Sequence, residues 1–217
     1  MTVMPYYDHR EVLAHGTPQS NVLLMNEAPG KNEAVSGIPL YGMQGANLYH
    51  SLYKTNIEWA IQHGDFIWKQ AVDTLQKTAF LQIRETKITC TNSFNKWPKP
   101  NAESEKSIAP GSNDVLNELN IIRIRNEISA NHTIILLCGK FSYLACTGTE
   151  ITNPEQRECE QLSPEEIAII NNRLNSNIQS GWYMGHTRRW SLHQDRITRT
   201  LRSIAGAANW PIVVNNG

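Results

Sequence analysis

Little in this chain advertises a partner through its bulk properties. Its 20 Lys and Arg balance its 20 Asp and Glu, so no global field draws a polyanion, and any nucleic-acid contact has to come from a local basic face. No apolar run approaches the length that spans a bilayer, and the first residues lack the basic-then-apolar order of a secretory signal. The four cysteines, Cys90, Cys138, Cys146 and Cys159, form no C-x-x-C pair and have no histidines at zinc-site spacing. Reduced thiols, a cytoplasmic location and neither structural metal nor iron–sulfur cluster are the expectations. No stretch repeats internally. At 217 residues the chain is long enough for one well-filled α/β domain and too short for two large ones.

What is present is a set of short apolar runs separated by helical patterns. Residues 22–25, 87–91, 133–138 and 182–185 read as strands. Residues 46–62 and 66–79 read as one long helical crossover. Residues 113–130 read as another, with Val115, Leu119 and Ile122 on one stripe, and Gly139 opens a short helix through Cys146. Strands alternating with helices predict a three-layer α/β/α sandwich around a four-stranded parallel sheet, with the strand exits gathered on one edge. The polar segment 150–179 reads as a surface insertion within this single domain, with a helix starting at Ser163-Pro164-Glu165-Glu166.

Chemistry is expected at those exits, because ligands of open α/β sheets bind beyond the carboxyl ends of the strands. The first run breaks at Pro29-Gly30 into a turn carrying Glu27 and Glu33. An ordinary strand-to-loop junction with solvated acids accounts for the same residues. Glycines at 37, 42 and 45 suit a backbone that approaches a flat ligand closely, and equally suit a plain loop and helix cap. Arg196, Arg199 and Arg202 share a helix face opposite Ile197, Leu201 and Ile204. With Arg188 and Arg189 they form a candidate phosphate-binding surface, or a solvated basic face.

Glu27-Ala-Pro-Gly-x-x-Glu33 followed by Gly37-x-Pro39-x-x-Gly42 and Gly45 resembles the opening block of the uracil-DNA glycosylase superfamily, nearest to bacterial and archaeal branches whose first motif reads G-E-A-P-G. Ile88-Thr-Cys-Thr-Asn92, with Lys96 and Pro98-Lys-Pro-Asn101, is similar to that family's strand-then-Asn segment. Residues 134–139 resemble a core strand and turn, and His186-Thr-Arg-Arg-Trp-Ser191 its closing H-P-S-x-x-S loop. The resemblance implies that Glu27 or Glu33 positions water, that Asn92 reads the base edge, and that His186 stabilises the departing base. It also implies that Trp190, taken as exposed, wedges into the duplex. The family's stacking ring is replaced by Leu40, with Tyr41 next to it. The first-motif Gly is Asn26, the closing Pro and Ser are Thr187 and Arg188, and the cluster cysteines have no counterpart apart from Cys90.

Taken together, the resemblance implies a monofunctional glycosylase that acts on DNA as a monomer, with no membrane association and no metal or organic cofactor. The loss of the ring at Leu40 shifts the expected base from uracil towards a modified or damaged pyrimidine, and a role against modified foreign DNA extends that expectation. A non-catalytic DNA- or nucleotide-binding relative and a hydrolase of free nucleosides are the alternatives.

Overall fold

The computed structural model describes residues 6–17, 19–61, 87–99 and 109–213. Its centre is a mixed sheet of five strands. In chain order these are β2 (Val22–Asn26), β3 (Ile88–Asn92), β5 (Ile134–Leu137), β6 (Glu160–Gln161) and β7 (Ser180–Tyr183). Their spatial order is β3-β2-β5-β7-β6. The first four run parallel, with Val22 opposite both Ile88 and Ile134, and Ile134 opposite Ser180. These are the four strands read from the sequence, each shifted by no more than two residues. Two-residue β6 adds an antiparallel edge on β7. Strands covered on both faces read as unbroken apolar runs, which is why Val22–Met25 and Ile134–Leu137 stand out.

Alternation along the strands divides the interior in two. Val22, Leu24, Ile88, Cys90, Ile134, Leu136 and Trp182 face a layer made by α2 (Met43–Lys54), a 3-10 turn (Thr187–Leu192) and α7 (Gln194–Ala207). Leu23, Met25, Ile135 and Leu137 face the opposite layer. That layer holds α3 (Ser112–Leu116), α4 (Glu118–Glu127), α5 (Lys140–Thr147) and α6 (Pro164–Leu174). Ile197, Leu201 and Ile204 of α7 are fully buried, each contributing roughly 2 kcal/mol of apolar burial.

Three sequence readings change. The helix expected over 113–130 is broken at Asn117, whose φ −55 and ψ 134 leave the helical region while its side chain accepts from Leu119 N. The restart shifts the phase, so Asn120, Ile121 and Ile124 turn inward while Leu119, 77% exposed, and Ile122 face out. Helix α2 starts three residues early and ends at Lys54, and the helix expected over 66–79 lies outside the described residues. An antiparallel ribbon of β1 (Tyr6–Glu11) and β4 (Lys96–Lys99) was not expected. It is tied to α3 by Tyr7 Oη donating to Asp114 and accepting from Gly111 N at 3.1 Å.

Segment 150–179 supplies Leu162, Ile167, Ile170, Leu174 and Ile178 to the second core, and Ser163 and Glu166 form the capping box that starts α6. Short α1 (Lys31–Ser36) lies in the loop after β2. Among the described residues no helix is long and apolar enough to cross a membrane.

Candidate active site

From β2 the chain crosses to β3 on one side and then returns past it to β5 on the other. The crevice therefore opens where β2 and β5 end, at the topological switch point. Glu27 leaves β2 there and Gly139 follows β5. The contact is close: a Cβ on Gly139 would stand 2.4 Å from Glu27 Oε1, and its φ of 102 suits glycine alone. Beyond Gly139, the first turn of α5 turns its positive end towards the acid, and Phe141 N donates to Glu27 Oε1 at 3.3 Å. On the β3 side Phe94 N donates to Glu27 O at 3.0 Å, Ser93 N donates to Asn26 O at 2.7 Å, and Ser93 Oγ also donates to Glu27 O. The acid is thus fixed from both neighbouring strands.

His186 reaches the same point from β7. Its Nε2 lies 3.7 Å from Glu27 Oε2, with the two side chains 34% and 17% exposed, so the pair meets at a solvent-accessible edge. The closing turn is folded back by Arg189 N donating to His186 O at 2.8 Å and by Thr187 Oγ1 donating to Gln44 Oε1 at 3.0 Å. Buried Glu158 presses on Gly185, where a Cβ would meet its Oε1 at 2.0 Å, and stands 3.7 Å from His193 Nε2. Burial, with the nearby charge of Glu27, pushes the Tyr183 hydroxyl up. Burial likewise pushes up the thiols of Cys90, Cys138 and Cys146, and all four cysteines are unpaired. A sealed, protonated thiol is a poor nucleophile.

Asn92 ends β3 in register with Asn26 at the end of β2. Both side chains are closed off from solvent. The expected Asn92 therefore sits one strand away from Glu27, and Glu27, His186 and Asn92 share one sheet edge.

Glu33 is different. Its Oε2 accepts from Gly30 N at 2.7 Å and its Oε1 from Leu40 N at 2.5 Å, so it braces the loop that carries it. Leu40, braced this way at φ 60, is fully buried in the core and presents no surface to a base. Tyr41, partly exposed, borders an open cleft of about 340 Å3 with Gly30, Lys31, Gly42 and Asn47.

Trp190 is corrected as well. It is 0% exposed and its Nε1 donates to Met184 O at 3.2 Å, so it pins the closing turn to β7 and offers no wedge. Its polar sequence neighbours gave no hint of this, because a 3-10 turn rotates successive side chains by about a third of a circle. Arg189 pairs with Glu155 at 2.9 Å, and the side chain of Arg188 lies outside the described residues. Arg196, Arg199 and Arg202 are exposed on α7, and the first two line a shallow cleft of about 370 Å3 with His193.

Sequence reasoning passed over Glu158 and His193, which carried no signal, and named Gly139 only as the turn that ends a strand and opens a helix. The description "Uracil DNA glycosylase superfamily" belongs to the family model that matches residues 13–198. A search among curated proteins returns no match.

Proposed function

From a chain that belongs to the uracil-DNA glycosylase superfamily, whose members generally hydrolyse N-glycosidic bonds in DNA, we propose a monofunctional glycosylase that removes a flipped, modified or damaged pyrimidine and leaves an abasic site. The observation that carries this reading is the Glu27–His186 pair, 3.7 Å apart, at the sheet edge shared with Asn92.

A base stacked in a duplex is out of reach, so the nucleotide must be extruded first. Breaking the bond from C1′ to the base nitrogen leaves positive charge on the sugar and negative charge on the base. Stabilisation of opposite sign is needed at two points. Glu27 supplies the negative group, orienting a water towards C1′ and offsetting the sugar charge. His186 donates a hydrogen bond to the base oxygen as it gains charge, and Asn92 reads the base edge, since a carboxamide donates and accepts in one plane. The attacking water loses its proton and becomes the C1′ hydroxyl, and the base leaves with a proton restored. The exposed arginines of α7 are proposed to hold phosphates beside the flipped nucleotide.

The test uses duplex oligonucleotides, each with one defined base, incubated with the protein and then cleaved by alkali at abasic sites. Glu27→Gln and His186→Ala are each expected to lower the single-turnover rate by roughly 10²–10⁴-fold. Product that persists undiminished in both variants, or that forms from free nucleosides but from no oligonucleotide, overturns the reading.

A further inference from the structure

One buried carboxylate touches both ends of the closing turn. Glu158 is 3% exposed and belongs to segment 150–179, away from the strands that lead to Glu27 and His186. At the near end it fills the space beside Gly185, the residue before His186, where a Cβ would meet Glu158 Oε1 at 2.0 Å. Gly185 also holds φ 66, so glycine gives the chain its exit from β7 and the acid its seat. At the far end Glu158 Oε2 stands 3.7 Å from Nε2 of His193, the residue between the turn Thr187–Leu192 and α7. The segment around the acid is itself tied down. Glu160 and Gln161 pair with Tyr183 and Trp182 on β7. Glu155 pairs with Arg189 inside the turn at 2.9 Å, and Arg196 Nη2 on α7 donates to Gln156 O at 3.3 Å. Residues 155–161 thus form a strut that runs from the edge of β7 along the closing turn to α7. Packing alone would be served by an apolar side chain, because a carboxylate withdrawn from water is costly unless another charge meets it. The group within ion-pair distance is His193, whose ring carries charge when protonated.

We infer that Glu158 is a positioning residue for His186. It does not reach the reacting atoms. It fixes where the closing turn leaves β7 and where it enters α7, and so sets the imidazole 3.7 Å from Glu27. The effect on rate rests on the glycosylase reading, whereas the effect on the place of the ring rests on geometry alone. A base oxygen that gains charge needs its donor within hydrogen-bond reach, and a displacement of about 1 Å can cost on the order of 100-fold in rate. A side chain locked by its neighbours avoids that loss, and here the lock comes from a segment remote in sequence from every motif.

The experiment compares Glu158→Ala, Glu158→Gln and His193→Gln with the wild type on the panel of defined-base duplexes. It reads single-turnover rate, DNA affinity by fluorescence anisotropy, melting temperature, and the ring resonances of His186 in histidine-labelled protein, assigned by their absence from His186→Ala. Glu158→Ala is expected to lower the rate by about 10–100-fold at wild-type affinity and to shift the His186 resonances. Glu158→Gln keeps the shape against Gly185 and should return most of the rate and the wild-type resonances. His193→Gln frees the far end without opening the core, and should move the same resonances and lower the rate by a smaller factor. If Glu158→Ala is not folded, the readings on His193→Gln decide. Unmoved His186 resonances overturn the inference, as does a joint loss of rate, affinity and melting temperature that Glu158→Gln shares. Shifted resonances with no abasic product from the wild type on any duplex keep the positioning and remove the glycosylase reading. Abasic product at the wild-type rate in Glu158→Ala does the opposite.

Discussion

Gly139 is the residue on which Glu27 depends most directly. Alanine there would set its Cβ against the carboxylate and occupy φ 102, where side chains other than glycine are strained. Gly139→Ala is expected to cost roughly 1–3 kcal/mol of stability and to cut turnover far more than the fold suffers. Parallel measurement of thermal melting and abasic product separates the two effects; equal turnover in the variant would show that the acid does not need this seat. At Trp190 the contrast runs the other way. Trp190→Ala is expected to remove about 3–5 kcal/mol of stability through the cavity it leaves, whereas loss of a wedge would lower DNA affinity and leave urea unfolding unchanged.

At the scale of elements, the loop before β5 carries an acid-sensitive group. Burial holds His132 at about 4 against its ordinary 6.5, and its Nδ1 accepts from Ser129 N at 3.0 Å, a role only the neutral ring fills. Between those values the unfolded chain takes up a proton that the folded chain refuses. Stability therefore falls as pH drops from 6.5 towards 4, by on the order of 2 kcal/mol after partial screening, and is indifferent to this group above 6.5. His132→Asn keeps an acceptor and should flatten the decline; urea midpoints at pH 7 and pH 4.5 read it directly. Helix α6 responds lower. Burial works against the charge of Glu166, yet hydrogen bonds from Arg157, Tyr143 and Ser163 hold it at about 2. The stability it contributes is complete above about 4.5 and is lost as pH falls towards 2.

The elements also show which parts of the fold a sequence reveals. Parallel strands were legible because they are apolar on both faces, and their order along the chain gave the layers. The inward stripe of α4 was not, since a single Asn117 that caps a new helix resets the phase of everything after it. Ribbon β1–β4 pairs across some 90 residues of chain with a bulge between Tyr7 and Glu11, and short mixed-polarity strands leave no period to follow. At the candidate site, Glu27 and His186 stood out in the sequence because the turn and closing loop matched a motif, and the fold brings the two together. Glu33 matched too, but a carboxylate that caps its own loop looks the same in a string of letters. Asn26 showed only as a departure from a pattern.

For the molecule as a whole, neutrality at the level of composition conceals a local basic face. Arg196, Arg199 and Arg202 project from α7 on the side away from the core. Each phosphate contact releases condensed counterions, so a paired Arg196→Ala/Arg199→Ala change is expected to reduce the slope of log affinity against log salt by about 2 and to weaken all sequences alike. A slope that stays put would assign those side chains to solvent.

The contact between Glu27 and His186 sets the order of events at this edge. At 3.7 Å the two side chains stand closer together than a sugar seated between them would allow. Glu27 is riveted by Ser93, Phe94 and the α5 amide, which makes the acid the keeper and the histidine arm the bolt. On the proposed glycosylase reading, a sugar seated between the pair has to part them, and the side expected to yield is the segment that follows Gly185.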